Sequence, residues 1–381
     1  MKNVSISQKC IGALSLVMLT ASVLIGCSSS GSSSTPASEG ASVGSDDQSV
    51  AASSMTEAMQ DEASSDMLGD ITTTTEMTPT AKLRIGSLKG PTTIGLVNLM
   101  ADVEEGRLEA PYSFIMETDP SVLAAKVVSG EVDVALVPAN LASVLYNKTK
   151  GGVVAININT LGVLDCVTND ETISHVSDLT GKMVLMTGQG ATPEYALHYL
   201  LTQNNVTDCT ITFAAEATEV AARLQEEPGL IAVLPQPFAT SAMMQNESLK
   251  RAFSLTDEWQ AVTQESTLVT GVTIIRKDVL NTIGTDEVSL LNQLQSASVA
   301  QAYANPDLTA TRIVQQEIIA KEQIAKAALP FCGLPTDKEG QGMVITADTM
   351  EQYLSGYLQT LYDADPAAVG GSVPDEGFYL N

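Results

Sequence analysis

Residues 182–235 read KMVLMTGQGATPEYALHYLLTQNNVTDCTITFAAEATEVAARLQEEPGLIAVLP. Three short apolar runs, KMVLMT (182–187), CTITFA (209–214) and LIAVLP (230–235), predict buried strands, and each is followed by a stretch with helical spacing of apolar residues. Strands that alternate with helices in this way build an α/β layer structure around a largely parallel sheet. The unit spans about 100 residues with its flanks, an ordinary domain size. LGVLDCVT (161–168) and LVTGVTIIR (268–276) bracket it, placed to cross between two lobes.

Working outward, the same grammar continues from Lys82. LRIGSL (83–88), YSFIMET (112–118), VDVALVP (132–138) and GVVAIN (152–157) predict further strands. Ile94, Val97, Met100 and Val103 mark one face of a helix that Gly106 stops. Asp119-Pro120 starts another, with a capping carboxylate and a proline in the first turn. After 276 the chain predicts mostly helix. The expected layout is one lobe from 81–164 plus 270–381, with a second lobe inserted at 165–269. A chain of 381 residues exceeds what one hydrophobic core usually serves, which agrees with two lobes.

The charge balance removes several function classes. Forty-five acidic against 19 basic side chains give a formal net charge of −26. Binding to duplex nucleic acid or to anionic lipid needs clustered Lys/Arg, so neither partner is expected. Two histidines and no HExxH helix leave no signalled metal site. Lys2 and Lys9 flank the start of an apolar run, Ile11–Ile25, too short to span a bilayer but right for an export signal. The run ends in Leu24-Ile25-Gly26-Cys27, which resembles a bacterial lipobox. Residues 1–26 are then a lipoprotein signal peptide and Cys27 the lipidated residue of an extracytoplasmic protein held to the cell membrane. A plain secretory signal with an incidental cysteine is the alternative. Residues 28–80 hold no Lys or Arg, nine Asp/Glu and twenty-two Ser/Thr among 53 positions. Such a composition predicts a disordered tether, 27–80 with its lipidated end, whose random-coil span is about 40 Å. Cys166, Cys209 and Cys332 remain, odd in number and without CxxC spacing, and predict isolated thiols rather than a disulfide framework, although one bridge is possible.

In open α/β sheets ligands lie beyond the carboxyl ends of strands, near helix N-termini. Four loops have suitable chemistry: Ser87-Leu88-Lys89-Gly90-Pro91-Thr92-Thr93; Pro138-Ala139-Asn140; Thr187-Gly188-Gln189-Gly190-Ala191-Thr192-Pro193; and Pro235-Gln236-Pro237-Phe238. Each alone reads as ordinary turn and capping chemistry, but four on equivalent strand ends of two lobes predict a ligand cleft. Gly188-x-Gly190 is not a dinucleotide fingerprint, because the third glycine is replaced by Pro193. No GxSxG elbow, Walker loop or Cys–His pairing is visible, so no catalytic residue and no cofactor are nominated. His175 reads as surface and His198 as a half-buried helix position. Lys89 and the helix N-termini suit an anion; a flat heterocycle stacking on Phe238 or Trp259 is an open alternative.

LRIGSLKGPTTIGL, LAAKVVSGEVDVALVPANLA, LTGKMVLMTGQGATPEYAL and the ending AAVGGSVPDEGFYL are similar, in order and spacing, to the solute-binding lipoproteins of ABC importers. They resemble most the nitrate/sulfonate/taurine group related to thiamine-precursor binding proteins. The resemblance implies a two-lobed periplasmic-binding type II fold, α/β with mixed, mostly parallel sheets and a central cleft. It also implies one small-molecule ligand, hinge closure, and delivery to permease and ATPase subunits by a monomer. It places ligand contacts at Ser87, Lys89, Gly90, Pro91, Thr92 and Thr93, at Asn140, and at Gly188, Gln189, Gly190, Ala191 and Thr192; Gln236 is added from its loop. Some relatives of this fold make the thiamine pyrimidine with a cysteine-rich motif and iron-binding histidines, which this sequence lacks. A ligand-sensing lipoprotein is a further alternative.

Overall fold

The computed structural model describes residues 78–263 and 266–380. The signal-like segment, Cys27 and all but the last three residues of the 27–80 tether lie outside them. Two five-stranded sheets organise the rest. The first is assembled from β1 (Leu83–Leu88), α1 (Pro91–Ile94), α2 (Val97–Glu104), β2 (Tyr112–Glu117), α3 (Pro120–Ser129), β3 (Val134–Pro138), α4 (Ala139–Thr149) and β4 (Val153–Leu161). The second holds β5 (Leu164–Thr168), β6 (Met183–Met186), α5 (Thr192–Gln203), β7 (Thr210–Phe213), α6 (Ala217–Glu226), β8 (Ile231–Pro235), α7 (Phe238–Gln245), β9 (Lys250–Ser254) and α8 (Leu255–Val262). The chain then returns through β10 (Val269–Arg276) to the first sheet. It ends in α9 (Lys277–Ala304), α10 (Pro306–Gln315), α11 (Glu322–Ala328), α12 (Ala347–Ala364) and a C-terminal strap, residues 366–380, with two short 3-10 turns.

Strand order is β2-β1-β3-β10-β4 in one sheet and β7-β6-β8-β5-β9 in the other. Four pairings are parallel and four antiparallel, so the sheets are mixed to an equal degree. The antiparallel ones are all made by β5 and β10, the strands that enter each sheet from the other. β5 follows β4 directly, and β10 returns from the second sheet by way of α8, so neither closes a βαβ unit within one sheet, the connection that sets parallel neighbours. The expected strand at 161–168 is cut in two: Leu161 completes β4, and Leu164 begins β5. Gly162 sits at the cut because a Cβ there would lie 2.0 Å from the Thr256 hydroxyl. β9, with the sequence KRAFS, carries no apolar alternation; it is an edge strand paired only with β5. The expected helix start at Asp119-Pro120 is present, with the Asp119 carboxylate accepting from the Ser121 N–H at 2.7 Å.

Two apolar clusters run through both sheets. One joins Val137 and Ile158 of the first sheet to Cys166, Val184 and Val233 of the second, together with Trp259 and Tyr357. Another joins Ile94 and Val299 to Leu185, Leu234, Phe238 and Ile324. Burial on this scale, at roughly 25 cal/mol per Å² of apolar surface, holds the two sheets together as well as each one separately. A charge is also buried beneath the first sheet. Arg312 of α10 is 3% exposed and donates to Asn98 Oδ1 at 2.8 Å, Gln301 Oε1 at 3.0 Å and Asp102 Oδ1 at 2.8 Å. Three acceptors of this kind are what a buried guanidinium needs, and they tie α2, α9 and α10 into one body.

The loop after β5 gives a pH-dependent contribution. Asp170 is held well below its ordinary value of 3.8, down to about 2, by the Thr172 hydroxyl, the Thr172 N–H and Lys182. A depressed carboxylate contributes stability above its unfolded-state pKa and loses it as pH falls through the folded value. Asp170→Asn should therefore shrink the drop in urea midpoint measured between about pH 4 and pH 2. An unchanged drop would show that other carboxylates carry the acid limb.

Candidate functional site

The carboxyl ends of β1 and β3 lie side by side in the first sheet, and those of β6 and β8 in the second. Helices leave each of them. α4 starts at Ala139 directly after Pro138, and α5 starts at Thr192 after the glycine loop. The two helix starts touch. Asn140, 2% exposed, donates from Nδ2 to the Gly190 carbonyl at 3.3 Å and to the Ala368 carbonyl at 3.3 Å. Its Oδ1 accepts from the Thr192 hydroxyl at 3.3 Å. One amide side chain of the first sheet unit thus bridges to the second sheet unit and to the C-terminal strap.

The residues singled out from sequence separate into those gathered here and those elsewhere. Asn140, Gly190 and Thr192 are in contact; Gly188, Gln189 and Ala191 form the turn between β6 and α5 that carries them. Within that turn Gly188 lies against Pro193, and its carbonyl accepts from the Ala191 N–H at 3.0 Å. Gly190 has φ of +72° and nothing within 4 Å of its Cβ position, and Gly90 of the first loop is likewise open. Side-chain-free backbone beside open space is what close approach of a ligand requires.

The first loop occupies the neighbouring strand end. Ser87 is 1% exposed and its hydroxyl is without a hydrogen-bond partner. The Thr92 and Thr93 hydroxyls fold back onto the Leu88 carbonyl, which is turn chemistry, and Pro91 opens the four-residue α1. Lys89 is exposed, with its N–H donated to the Glu117 carbonyl at 2.8 Å. Gln236 has its own partners. It is fully buried, donates to Asp165 Oδ2 at 2.7 Å, and accepts from the Thr240 N–H at 3.3 Å. Asp165 also meets Arg251 at 3.0 Å, and the Arg251 guanidinium lies 4.2 Å over the Phe331 ring. Burial pushes the Asp165 carboxyl up, opposed by Arg251 and Gln236. That cluster ties β5 to β9 and to the loop that follows β8.

Sequence reasoning missed two features of the site. Glu194, in the first turn of α5, accepts the Gly190 N–H at 2.6 Å, so a carboxylate of the chain itself already caps this loop. His198 Nε2 stands 3.8 Å from Glu194, and its side chain is 57% exposed rather than half-buried. The second feature is the strap: Ser143 Oγ donates to the Val369 carbonyl at 2.8 Å, and Asn147 Nδ2 to Val369 at 2.9 Å and Ser372 at 2.7 Å. The spacing of Asn140, Ser143 and Asn147 at i, i+3 and i+7 is a polar face that a helix reading could have flagged. His175 is at the surface, with its Nδ1 2.9 Å from Glu258, which raises its pKa. Phe238 and Trp259 are buried in the cores and offer no free ring face. Among the described residues no group of three or more His, Cys, Asp or Glu is placed to hold a metal ion, and no helix is long and apolar enough to cross a membrane. Cys166, Cys209 and Cys332 are free thiols.

Comparison with known proteins agrees with this architecture. An ABC transporter protein from Parabacteroides distasonis superposes with a TM-score of 0.63 at 19% identity, over 78% of this chain and 98% of its own. The periplasmic aliphatic sulphonate binding protein of Escherichia coli gives 0.61 at 14% identity, over 79% and 93%. The periplasmic nitrate-binding protein of Synechocystis PCC 6803 gives 0.53 at 11%, over 72% and 76%. At such identities these likenesses establish the periplasmic-binding fold. No curated protein matches in sequence. The pattern of the menaquinone biosynthesis family, however, matches residues 91–328, more than half of the chain and all of the segment that carries Asn140, Gly190 and Thr192. With the two-sheet fold and that match together, the chain belongs to the menaquinone biosynthesis family.

Proposed function

We propose that this protein is an extracytoplasmic solute-binding component of an ABC importer, anchored through lipid on Cys27 and holding one small molecule between its two sheet units. The observation that carries the reading is the meeting of the α4 and α5 starts at Asn140, Gly190 and Thr192. Ser87, Gly90 and Thr92 on the adjacent strand end complete the ligand-facing set, with Pro91, Thr93 and the Gly188–Gln189–Ala191 turn shaping it. Lys89 acts from the rim. Gln236 belongs to the support of the crossing strands. The tether from Ser28 to Thr80 gives the body reach, and the lobes 81–164 plus 270–381 and 165–269 close about the crossings near Gly162 and Leu268. A ligand favours closure by binding groups of both lobes at once. Candidate ligands are a sulfonate- or nitrate-like anion and a thiamine-precursor-like heterocycle; permease and ATPase subunits receive the cargo.

A second reading is favoured by the family match: an enzyme, or a binding protein, acting on an intermediate of menaquinone biosynthesis. Glu194 with His198 is then the titratable pair beside the site. The readings separate in one experiment. The chain from residue 28 is unfolded thermally against nitrate, alkanesulfonates, pyrimidines, aromatic carboxylates and naphthoquinones, and each stabilising compound is then incubated with the protein and analysed for new products. A ligand at 100 times its dissociation constant stabilises by about 2.7 kcal/mol. Stabilisation without conversion supports transport, and conversion that Glu194→Gln abolishes supports the enzyme. Silence across the panel counts against both.

A further inference from the structure

The C-terminal strap and α12 enclose a groove of about 590 Å³, a volume typical of small-molecule sites. α12 contributes Glu351 and Ser355, four positions apart and so on one face of the helix. The strap contributes Asp375, Glu376 and Tyr379. Asp375 already has partners, since its Oδ1 accepts from the Tyr146 hydroxyl and from the Gly377 N–H at 3.0 Å. The Glu351 and Glu376 carboxylates are bonded by no side chain of the described residues.

Tyr379 makes the groove more than a cluster of acids. It lines the groove yet is only 7% exposed, and its hydroxyl has no hydrogen-bond partner among the described residues. Native proteins leave few buried polar atoms unpaired, so one that borders a cavity points to a missing partner. The side chain is held in place for such a partner. Its ring packs 5.1 Å from Phe378, and its backbone bridges to Ala155 of β4. Burial, together with the Glu351 and Asp375 carboxylates, pushes the phenol pKa up, so the group stays protonated and uncharged.

The chemistry of these groups selects the ligand class. Carboxylates only accept hydrogen bonds, and a neutral phenol oxygen can accept as well. Glu351, Asp375 and Glu376 outweigh Lys277, the basic group that acts on Asp375, so an anion is repelled. Among the described residues no three carboxylates are placed to surround a metal ion. What remains is an organic body that carries N–H donors and positive charge. The groove is also apart from the Asn140 contact. Tyr146, which holds Asp375, stands six residues further along α4, about 9 Å of helix.

We propose that this groove is a second binding site, and that it takes a small organic cation whose ammonium or guanidinium group donates to the Tyr379 phenol oxygen and the Glu351 carboxylate. Asp375 and Glu376 supply further negative charge at its rim. The net charge of −26 favours the arrival of such a ligand. The site goes beyond the binding reading above and does not depend on it.

The test titrates the full chain with agmatine and with cadaverine in a calorimeter at fixed ionic strength. Tetramethylammonium, which carries charge without an N–H, and magnesium are the controls. Wild type should bind at least one of the two amines with a dissociation constant below about 1 mM, and both controls far more weakly. Tyr379→Phe keeps the ring and removes the unpaired hydroxyl. It should unfold at or above the wild-type temperature and bind the amine at least about threefold more weakly. Glu351→Gln should weaken binding at least about fivefold, and Glu226→Gln on α6, outside the groove, should leave it unchanged. Silence of the wild type to both amines overturns the proposal. So does wild-type affinity in either groove variant, or a loss in Glu226→Gln equal to that in Glu351→Gln, which would mean general attraction to an acidic surface. Tetramethylammonium or magnesium binding as tightly as the amines overturns it too, as does a Tyr379→Phe that unfolds several degrees lower, because the hydroxyl then has a structural partner. Amine binding that Asn140→Ala abolishes and Glu351→Gln spares would put the cation at the other site and overturn this one alone.

Discussion

Deleting residues 366–381 should lower the free energy of unfolding by more than about 5 kcal/mol and remove any ligand-induced stabilisation. The strap is anchored by Phe378, which is wholly buried and packs its ring 5.1 Å from Tyr146 and 5.1 Å from Tyr379. Phe378→Ala by itself should cost about 3–5 kcal/mol, as large-to-small changes of buried aromatics do. The strap also supplies acceptors to one face of α4: the Ala368 carbonyl to Asn140, the Val369 carbonyl to Ser143 and Asn147, and the Ser372 carbonyl to Asn147. Without them, Asn140 and Ser143 are buried side chains that have lost partners, each a penalty of roughly 1–3 kcal/mol. The Leu380 N–H, bonded to Ala155 at 2.9 Å, fixes the far end onto β4. Urea unfolding of the truncated chain measures the loss directly. A midpoint within the error of the full chain would mean that the strap decorates α4 without holding it.

The second large effect is expected at Asn140. Replacement by Ala removes the bonds to Gly190, Thr192 and Ala368 together, from a position that is 2% exposed. At 3.3 Å these bonds are long, so about 1 kcal/mol for each is generous, and a total of about 2–3 kcal/mol is expected. The functional consequence should exceed the thermodynamic one. Asn140 is the side chain through which the α4 start meets the α5 start, and its loss should weaken binding of any stabilising ligand at least tenfold. Thr192→Val removes the hydroxyl while keeping the shape, and the two variants together form a double-mutant cycle. Coupling in ligand-bound protein that exceeds the coupling without ligand, within about 0.5–3 kcal/mol, would show that closure uses this pair. Equal coupling in both states would assign the contact to folding alone.

The glycine loop at 188–190 and the strand ends around it were legible from the chain because their chemistry is local. A turn that needs φ above zero selects glycine, and a helix that starts there selects Thr-Pro. The same locality explains what the chain did not reveal. Glu194 capping Gly190 is a bond across four residues, yet nothing in the spacing distinguishes it from a solvated first-turn carboxylate. Gln236 reads like a loop amide aimed at a ligand; only the fold puts Asp165 beside it, from a strand 71 residues earlier. Lys89 has the right charge in the right loop, and the tertiary structure leaves it in solvent.

The sequence by itself determined most of the strands and helices, because apolar periodicity and turn residues act over a few positions. It also determined that charge lies mainly outside the cores. Tertiary structure alone decided three things. The sheets are half antiparallel, because β5 and β10 each enter from the other sheet rather than through a βαβ unit. The last fifteen residues reach back to hold Asn140, more than 220 positions away. Trp259 of α8 is stacked between Tyr199 of α5 and Tyr357 of α12. Each depends on contacts between distant parts of the chain. Such contacts leave no local pattern, since the free energy that selects them comes from burying surfaces that meet only after folding.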